Sequence, residues 1–277
     1  MPLLFNEDSV APIELSPGVT VKRLLTPERT GNDMIALDLI AAKAGSAAPL
    51  TTGASGIQAI QFLSGAGELR SGDQRFTMTK DHIAFLPPDC EATIHCNADT
   101  SILSVGVPSA KQYDPKWNPG ELTLRCTDWT AEPLLDSKFD TRKRIYLVTP
   151  KLNVSEAIKG EMIIYPPLAS APEHHHEGAE HFQYVVSGGA TVYLSGEPKT
   201  MRAGDVLYNY AFERHAFLND GNEDFVFVEY FVPGIYQTVW ADKDKACTWT
   251  PTGKNIRGGQ SSREIAAHSS LEHPTDV

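Results

Sequence analysis

Four histidines crowd one short stretch of the chain. His174, His175, His176 and His181 fall within eight residues of the segment EHHHEGAEHFQYVVSGG (residues 173–189), although the whole chain of 277 residues has only nine histidines. In strands, alternate side chains share a face, so His174 and His176 would point together while His175 points away. After the Glu-Gly-Ala turn, His181 begins the next apolar run. Because neutral imidazole is the commonest metal ligand, this spacing predicts a site for a transition metal.

The elements that would position these histidines recur along the chain. The segments VKRLLTP and KRIYLVTP, SAAP and ASAP, and QFLSGAG and QYVVSGG are each related by an offset of 123 residues, which also relates Gly65 to Gly188. One offset shared by three segments predicts two copies of one unit. Each copy consists of short runs rich in Val, Tyr and Phe, separated by Gly, Pro, Asn and Asp, which is typical of antiparallel strands. The sequence therefore predicts an all-β fold of two tandem barrels or jelly rolls.

The repeat and the composition between its copies predict the domain boundaries. We expect an N-terminal barrel at residues 1–112, an extended linker rich in Pro, Asp and Trp at 113–140, and a C-terminal barrel at 141–251. The polar, Gly- and Ser-rich segment 252–277 is expected to be a tail that is loose or wraps a neighbouring subunit.

Composition excludes several classes of function. The net charge is −11 and the pI is near 5.3, so a basic footprint for nucleic acid is absent. The four cysteines show no CxxC spacing, which argues against a zinc knuckle or a disulfide framework. No run of 18 apolar residues and no signal-peptide pattern is found, so we expect no membrane partner and a cytoplasmic location.

The histidine segment resembles the first motif of the cupin superfamily, G-x5-H-x-H-x3,4-E-x6-G. His174 and His176 match the paired histidines, and Gly188 matches the closing glycine. The position of the glutamate is taken by His181, with Glu180 one residue earlier. The strand register favours His181 as the ligand, because Gly188 fixes the count and Glu180 would face outward; Glu180 remains the alternative.

The second cupin motif, G-x5-P-x-G-x2-H-x3-N, is matched in spacing from Gly204 through His215 to Asn219, although Tyr210 and Phe212 replace the proline and the glycine. The chain thus resembles a two-domain bicupin. The resemblance implies one divalent transition metal, with Fe(II) favoured and Mn, Ni or Zn as alternatives. The implied ligands are His174, His176, His181 and His215.

The N-terminal copy does not carry the same ligand set. At the offset of 123 residues, the four ligand positions are occupied by Thr51, Gly53, Gln58 and Ala92. A slip of one residue gives no metal site either. We therefore expect the N-terminal barrel to be metal-free and to serve packing.

Other polar residues near the motifs have alternative interpretations. Gln183 could orient substrate or a bound water, or could simply line the barrel. Tyr208 and Tyr210 are candidates for substrate contact, with a place in the barrel wall as the alternative. His175 is expected to face outward, and Glu177 to belong to the turn.

Three functions are compatible with this resemblance, because many functions are grafted on the cupin fold. The first is a non-haem Fe(II) dioxygenase, since all-histidine iron sites resemble those of gentisate-type, diketone-cleaving and thiol dioxygenases. The second is a Mn-dependent hydrolase or isomerase, since the layout is similar to that of ureidoglycine aminohydrolases. The third is a non-enzymatic ligand-binding cupin. Each implies a small-molecule partner, and the resemblance implies a homo-oligomer, a dimer.

Overall fold

The computed structural model of the chain describes residues 1–270 and 277. Within them the chain is mostly β-strand, with two short helices, α1 (Pro27–Thr30) and α2 (Pro150–Asn153). Single 3₁₀ turns occur at Glu7–Ser9, Ala110–Gln112, Trp129–Ala131 and Lys243–Lys245. None of the helices in this part of the chain has the length and apolar character to cross a membrane. The predicted all-β class is confirmed, whereas the cytoplasmic location stays a prediction.

Twelve strands precede residue 130. They are β1 (Leu3–Asn6), β2 (Ile13–Ser16), β3 (Val19–Leu25), β4 (Ala36–Ala42), β5 (Ala47–Thr51), β6 (Ile57–Ser64), β7 (Ala66–Ser71), β8 (Gln74–Thr79), β9 (His82–Leu86), β10 (Glu91–Cys96), β11 (Thr100–Val107) and β12 (Arg125–Asp128).

Thirteen more strands are described after residue 130. They are β13 (Leu135–Ser137), β14 (Lys143–Val148), β15 (Lys159–Tyr165), β16 (Ser170–Glu177), β17 (Glu180–Ser187), β18 (Gly189–Leu194), β19 (Glu197–Arg202), β20 (Asp205–Asn209), β21 (His215–Leu218), β22 (Phe225–Val232), β23 (Gln237–Trp240), β24 (Thr248–Pro251) and β25 (His268–Ser269).

The chain divides into two compact units, which we call the N-terminal and C-terminal barrels. The N-terminal barrel comprises Glu7–Trp129 and Asn153–Ala157, and the C-terminal barrel comprises Met1–Asn6, Thr130–Leu152 and Ile158–Val277. Each contains two antiparallel sheets. The N-terminal barrel has the strand orders β12-β9-β6-β11-β4-β3-β2 and β5-β10-β7-β8; the C-terminal barrel has β1-β20-β17-β22-β15-β14-β13-β24-β25 and β19-β18-β21-β16-β23.

The two barrels repeat the same strand register. β3 pairs with β4 so that Val21 lies opposite Ile40, and β14 pairs with β15 so that Arg144 lies opposite Ile163, each residue being 123 positions after its counterpart. Gly65 and Gly188 have φ angles of +83° and +74°, and an added Cβ at either would collide with a facing backbone carbonyl. Only glycine fits such a position. The repeat predicted from the sequence is therefore present in the fold.

Apolar side chains from both sheets of each unit meet in its core. In the N-terminal barrel, alternation along β5 buries Ala48 and Leu50, which join Val21 and Ile94 in one cluster. The corresponding cluster of the C-terminal barrel is richer in aromatic residues, including Tyr146, Phe217, Phe227 and Trp249. Burial of these faces is what holds each pair of sheets together.

The boundaries of the units differ from the predicted ones in two places. β1 pairs with β20 and so belongs to the C-terminal barrel, although it lies at the start of the chain. The segment 113–140 is not a separate linker, because β12 pairs with β9 in the N-terminal barrel and β13 pairs with β14 in the C-terminal one. In both places, hydrogen bonding to another strand determines which barrel the segment belongs to. Local composition does not reveal that partner strand.

The prediction of a loose or exchanged tail is wrong for residues 252–270. Arg263 pairs with buried Glu132 at 2.6 Å, Ile265 is buried in the core, and β25 pairs with β24. These residues pack on the C-terminal barrel of their own chain. The part of the predicted tail at 271–276, which includes His273, lies outside the described residues.

Candidate metal centre

The central pair of histidines lies on β16. Alternation along this strand buries His174 and His176, whose exposed fractions are 9% and 6%. The ring of His174 stacks on Trp240 of β23 at a centroid distance of 4.6 Å. His175 points to the opposite face, where its Nε2 is 3.1 Å from Glu177 Oε1. The strand phase thus separates His175 from the other two, as expected.

Two other strands bring the remaining histidines to the same point. His181 begins the buried part of β17 and His215 begins β21, and each is 1% exposed. The His215 ring lies 4.4 Å from that of His174, 5.5 Å from that of His176 and 5.1 Å from that of His181. The structure therefore gathers all four predicted imidazoles into one buried cluster.

Hydrogen bonds orient the rings of three of the four clustered histidines. His174 Nδ1 donates to the Pro172 carbonyl at 2.8 Å, and His215 Nδ1 donates to the Glu213 carbonyl at 3.1 Å. A carbonyl can only accept, so in the neutral ring the proton is on Nδ1 and the lone pair is on Nε2. Outer partners of this kind orient metal-ligating histidines.

His176 follows the same arrangement, because its Nδ1 lies 3.1 Å from the Thr238 hydroxyl. His174, His176 and His215 each have a nitrogen within 4.8 Å of the others'. The buried Nε2 of His215 has no hydrogen-bond partner among residues 1–270 and 277. A buried polar atom is rarely left in that state, so these three residues fit a metal ion with N ligands.

His181 is placed differently from the other three. Its Nε2 lies 3.2 Å from the Asn209 amide nitrogen and 3.6 Å from Glu229 Oε1. His181, His176 and Glu229 form a second group of donor atoms within 4.8 Å of one another. Glu180 faces away and accepts a hydrogen bond from Tyr208. The register therefore brings His181, and not Glu180, to the cluster.

All four imidazoles are held neutral. Burial lowers the pKa of His174, His176 and His181 well below 6.5, and neighbouring histidines lower it further. Burial also lowers the pKa of His215 to about 4. Neutral imidazole is the form that binds a metal.

Sequence reasoning missed Glu229, which stands in the buried strand β22 (FVFVEYFV). Its carboxylate accepts a hydrogen bond from the Gln183 amide. Burial, followed by the nearby Glu161, raises its pKa to about 8. A lone acidic residue in an otherwise apolar strand was the available signal, because buried carboxylates are rare without a partner.

A cavity of about 60 Å³ opens beside the cluster and is lined by His174, His176 and Glu229. One buried water needs roughly 10–15 Å³, so the cavity has room for a few waters or a small organic molecule. Its wall also contains charged residues that sequence reasoning did not single out: Arg142, Arg144, Lys159 and Glu161. Their signal was the run of charges Arg142–Arg144 before an apolar strand, and the charges at alternate positions, Lys159 and Glu161, at the start of another.

The two arginines of this wall are paired. Arg142 lies 2.8 Å from Asp140, and Arg144 lies 3.0 Å from Glu161. The guanidinium of Arg144 also lies over the Trp249 ring, 4.1 Å from its centroid. These contacts fix both side chains at the cavity wall.

His268, assigned from the sequence to the tail, lies in the cavity wall. Its Nε2 is 2.7 Å from the Tyr146 hydroxyl, and its Nδ1 is 3.0 Å from the Ala266 carbonyl. Burial lowers its pKa to about 4. The segment after residue 252 therefore completes the site of its own barrel.

The three candidate substrate contacts have different surroundings. Gln183 is fully buried beside the cluster, between Asn209 and Glu229. Tyr208 lies opposite Phe182 in the β17–β20 pairing, on the face turned away from His181, and its ring contacts Tyr210 at 5.2 Å. None of the three lines the cavity itself, but Gln183 donates a hydrogen bond to Glu229, which does. The structure keeps Gln183 as a candidate and gives the two tyrosines the alternative place in the barrel wall.

Comparison with known proteins agrees with this architecture. Residues 161–232 match the cupin domain family, a segment that includes all four clustered histidines. A solved structure of Bacillus subtilis oxalate decarboxylase, described by its Mn(II) centres, has a TM-score of 0.67 at 15% identity, covering 86% of this chain and 79% of that one. The chain is thus similar to cupins in the sequence of residues 161–232 and in the fold of its two barrels.

Two further relatives extend the comparison. Protein Ylba from E. coli, of family DUF861, gives a TM-score of 0.66 at 14% identity over 83% of this chain and 90% of that one. The oxalate-binding protein of Thermotoga maritima is 33% identical over 63 residues, which is 23% of this chain and 52%, about half, of that relative. At these identities the solved structures show a shared bicupin fold alone.

Proposed function

We propose that the C-terminal barrel is a metal-dependent enzyme that acts on a small polar metabolite bound in the cavity beside the histidine cluster. One observation carries the proposal: three buried histidines each have Nδ1 within hydrogen-bond distance of an oxygen, and their ring nitrogens lie within 4.8 Å of one another. Histidines that serve only packing have no reason to share this orientation. Of the possible metals, Fe(II) is favoured, with Mn, Ni or Zn as alternatives.

The neutral ligand set favours a non-haem Fe(II) dioxygenase. Four imidazoles bring no negative charge, so a bound divalent metal would keep its full charge and attract an anionic, chelating substrate. Iron, when bound, would supply redox chemistry with dioxygen. This chain's own residues would orient the substrate: Gln183 is held by hydrogen bonds to Asn209 and Glu229, and the aromatic wall excludes bulk water.

A second candidate is Mn-dependent chemistry without oxidation, such as hydrolysis, isomerisation or decarboxylation. It is favoured by Glu229, whose carboxylate lies in the donor group with His176 and His181. Carboxylate ligands suit Mn better than an all-imidazole set does. The fold is shared with an oxalate decarboxylase, and the oxalate-binding relative suggests a small carboxylic acid as the ligand.

Metal content and dioxygen uptake separate these candidates. The protein would be purified without added metal, analysed for Fe, Mn, Ni and Zn, and reloaded with Fe(II) or Mn(II). Dioxygen uptake, carbon dioxide release and ammonia release would then be followed with oxalate, short hydroxy and keto acids, and ureidoglycine. Iron with dioxygen uptake supports the dioxygenase; Mn with product release and no uptake supports the second candidate. Binding without turnover of any compound would support a ligand-binding cupin.

Variants test the ligand assignment independently of turnover. We expect His181→Ala to lose metal and Glu180→Ala to keep it; the opposite result would overturn the assignment. Glu229→Gln keeps the metal if the site is all-histidine and loses it if the carboxylate is a ligand. Ser104→Ala, at the equivalent position of the N-terminal barrel, is the matched control.

A further inference from the structure

Lys159 is a buried cation in the cavity wall. It begins β15 and is 5% exposed. Its Nζ lies 5.0 Å from the centroid of the Tyr146 ring and 5.2 Å from that of Tyr236. Two aromatic faces at this range attract an ammonium group, so they hold the end of the side chain at the cavity.

The other charged groups of the wall already have polar partners. Arg142 is paired with Asp140, Arg144 with Glu161, and Glu229 accepts from Gln183. By contrast, within the described part of the chain no carboxylate oxygen lies within 4 Å of Lys159 Nζ, and that nitrogen donates no hydrogen bond. A buried charge without a hydrogen-bonded partner is costly, so Lys159 is set up for an anion that enters the cavity.

One aromatic ring contacts both this lysine and the histidine cluster. The Tyr236 ring lies 5.1 Å from that of His176 and 5.2 Å from Lys159 Nζ. Tyr236 is itself fixed by stacking on Phe231 at 3.9 Å. Lys159, Tyr236 and His176 also line the same cavity, so a small molecule with two polar ends could reach both the ammonium group and the histidine cluster.

We infer that the substrate is a small dianion, a dicarboxylate whose one end lies at the metal cluster and whose second carboxylate pairs with Lys159. The inference rests on the proposed function, because it describes the far end of the same substrate. A cavity of about 60 Å³ limits this molecule to a few carbons between its ends.

Two further observations agree with this role. Burial lowers the pKa of Lys159 to about 8, with Glu161 acting in the opposite direction, so the amine remains mostly charged at neutral pH and an anionic ligand would restore the lost stabilisation. The equivalent position of the N-terminal barrel is Ala36, on β4. A lysine at this point is therefore not required by the fold.

Calorimetric binding of malonate, succinate and glutarate tests the inference, with butyrate as the single-charge comparison. We expect at least one dianion to bind the wild type at least tenfold more tightly than butyrate. Lys159→Met should lower the affinity for that dianion by roughly 30-fold or more and change the affinity for butyrate little. The affinity of Lys159→Arg for the dianion should stay within a few-fold of that of the wild type. Lys143→Met, on the exposed part of the neighbouring strand, is the matched control. Unchanged dianion affinity in folded Lys159→Met would overturn the inference.

A chemical measurement on the wild-type protein tests the same pairing even if Lys159→Met does not fold. Reductive methylation of lysines, mapped by mass spectrometry, should be slowed at Lys159 by the best-binding dicarboxylate and not by butyrate. Equal labelling with and without that dicarboxylate would contradict the pairing. Metal content is measured on the same samples: metal binding without a role for Lys159 overturns this inference alone, and a Lys159-dependent dianion site without bound metal overturns the proposed function alone.

Discussion

The interiors of the two barrels differ at positions that the shared register makes equivalent. Where the N-terminal barrel has Val19 and Val21, both fully or almost fully buried, the C-terminal barrel has Arg142 and Arg144. The same pairing that puts Ile60 opposite Ser104 puts Gln183 opposite Glu229. At these equivalent positions, the N-terminal barrel has mostly aliphatic side chains and the C-terminal barrel has charged or amide side chains.

This difference distinguishes side chains that the fold requires from side chains that serve a chemical function. The N-terminal barrel shows that the strand register closes over an aliphatic interior. The polar groups of the C-terminal barrel are therefore not required for folding, and burying them costs free energy unless each is paired. Their placement around one cavity is best explained by a ligand, and the following four experiments test that explanation from the largest expected effect to the smallest.

Acid should destabilise the metal-free C-terminal barrel first. The pKa of each clustered histidine is lowered in the folded state, so below about pH 6.5 the unfolded chain binds protons that the folded chain does not. The histidines therefore do not lower the free energy of unfolding above pH 6.5. Between pH 6.5 and pH 4 they lower it by up to about 1.4 kcal/mol per pH unit for each histidine. Burial raises the pKa of Asp38 in the N-terminal barrel and of Glu229 in the C-terminal barrel, and both act in the opposite direction. In the C-terminal barrel, one such carboxyl is opposed by four histidines.

Hydrogen exchange followed by mass spectrometry between pH 7 and pH 4.5 would check this expectation. Strands β14–β22 should lose protection at a higher pH than strands β3–β11. Simultaneous loss in both barrels would show that the histidine cluster does not set the acid sensitivity.

Breaking the buried ion pair should have the next largest effect. Arg144→Met leaves Glu161, which is 1% exposed, without its partner at 3.0 Å. We expect a loss of about 3–5 kcal/mol in the free energy of unfolding, measured with urea, because an uncompensated charge stays buried. Arg144→Met combined with Glu161→Leu removes both charges, so no uncompensated charge stays buried, and it should recover most of the loss. A double variant as unstable as the single one would contradict the comparison.

Removing one clustered imidazole should abolish metal binding without unfolding the barrel. His174→Ala is expected to lower metal affinity at least about 100-fold, since even outer-shell changes cost 10–100-fold. Thr51→Ala, at the equivalent position of the N-terminal barrel, should leave both metal content and melting temperature unchanged. Metal titration followed by calorimetry would decide, and wild-type affinity in His174→Ala would remove this residue from the ligand set.

The smallest effect is expected at an outer partner. Thr238→Val removes the hydroxyl 3.1 Å from His176 Nδ1 and should lower metal affinity by about 10–100-fold with little change in fold. The chain offers a matched control, because in the N-terminal barrel the Thr79 hydroxyl lies 2.9 Å from His82 Nδ1. Thr79→Val should leave metal affinity at its wild-type value, and an equal effect of both variants would show that the hydroxyl acts through general stability.

Much of the fold and part of the site were predictable because they depend on local periodicity. Strand alternation separated His175 from His174 and His176, and the motif spacing added His215. The repeat of 123 residues located Gly65 and Gly188, where the positive φ admits only glycine.

What the sequence did not reveal depends on contacts between distant strands. Glu229 is hydrogen-bonded to Gln183, 46 positions away, and His268 to Tyr146, 122 positions away. The role of Tyr208 stayed open between substrate contact and barrel wall, because its orientation depends on its pairing with Phe182 across the sheet. Single-strand patterns carry no information on such partners.

The short strand at Leu3–Asn6 has a consequence for how the molecule behaves in a crowded solution. It occupies the outer side of β20, which would otherwise end its sheet with a row of unsatisfied backbone amides and carbonyls. Such a row is a template for adding strands of other molecules. This strand of four residues thus protects the edge of β20 from pairing with strands of other molecules.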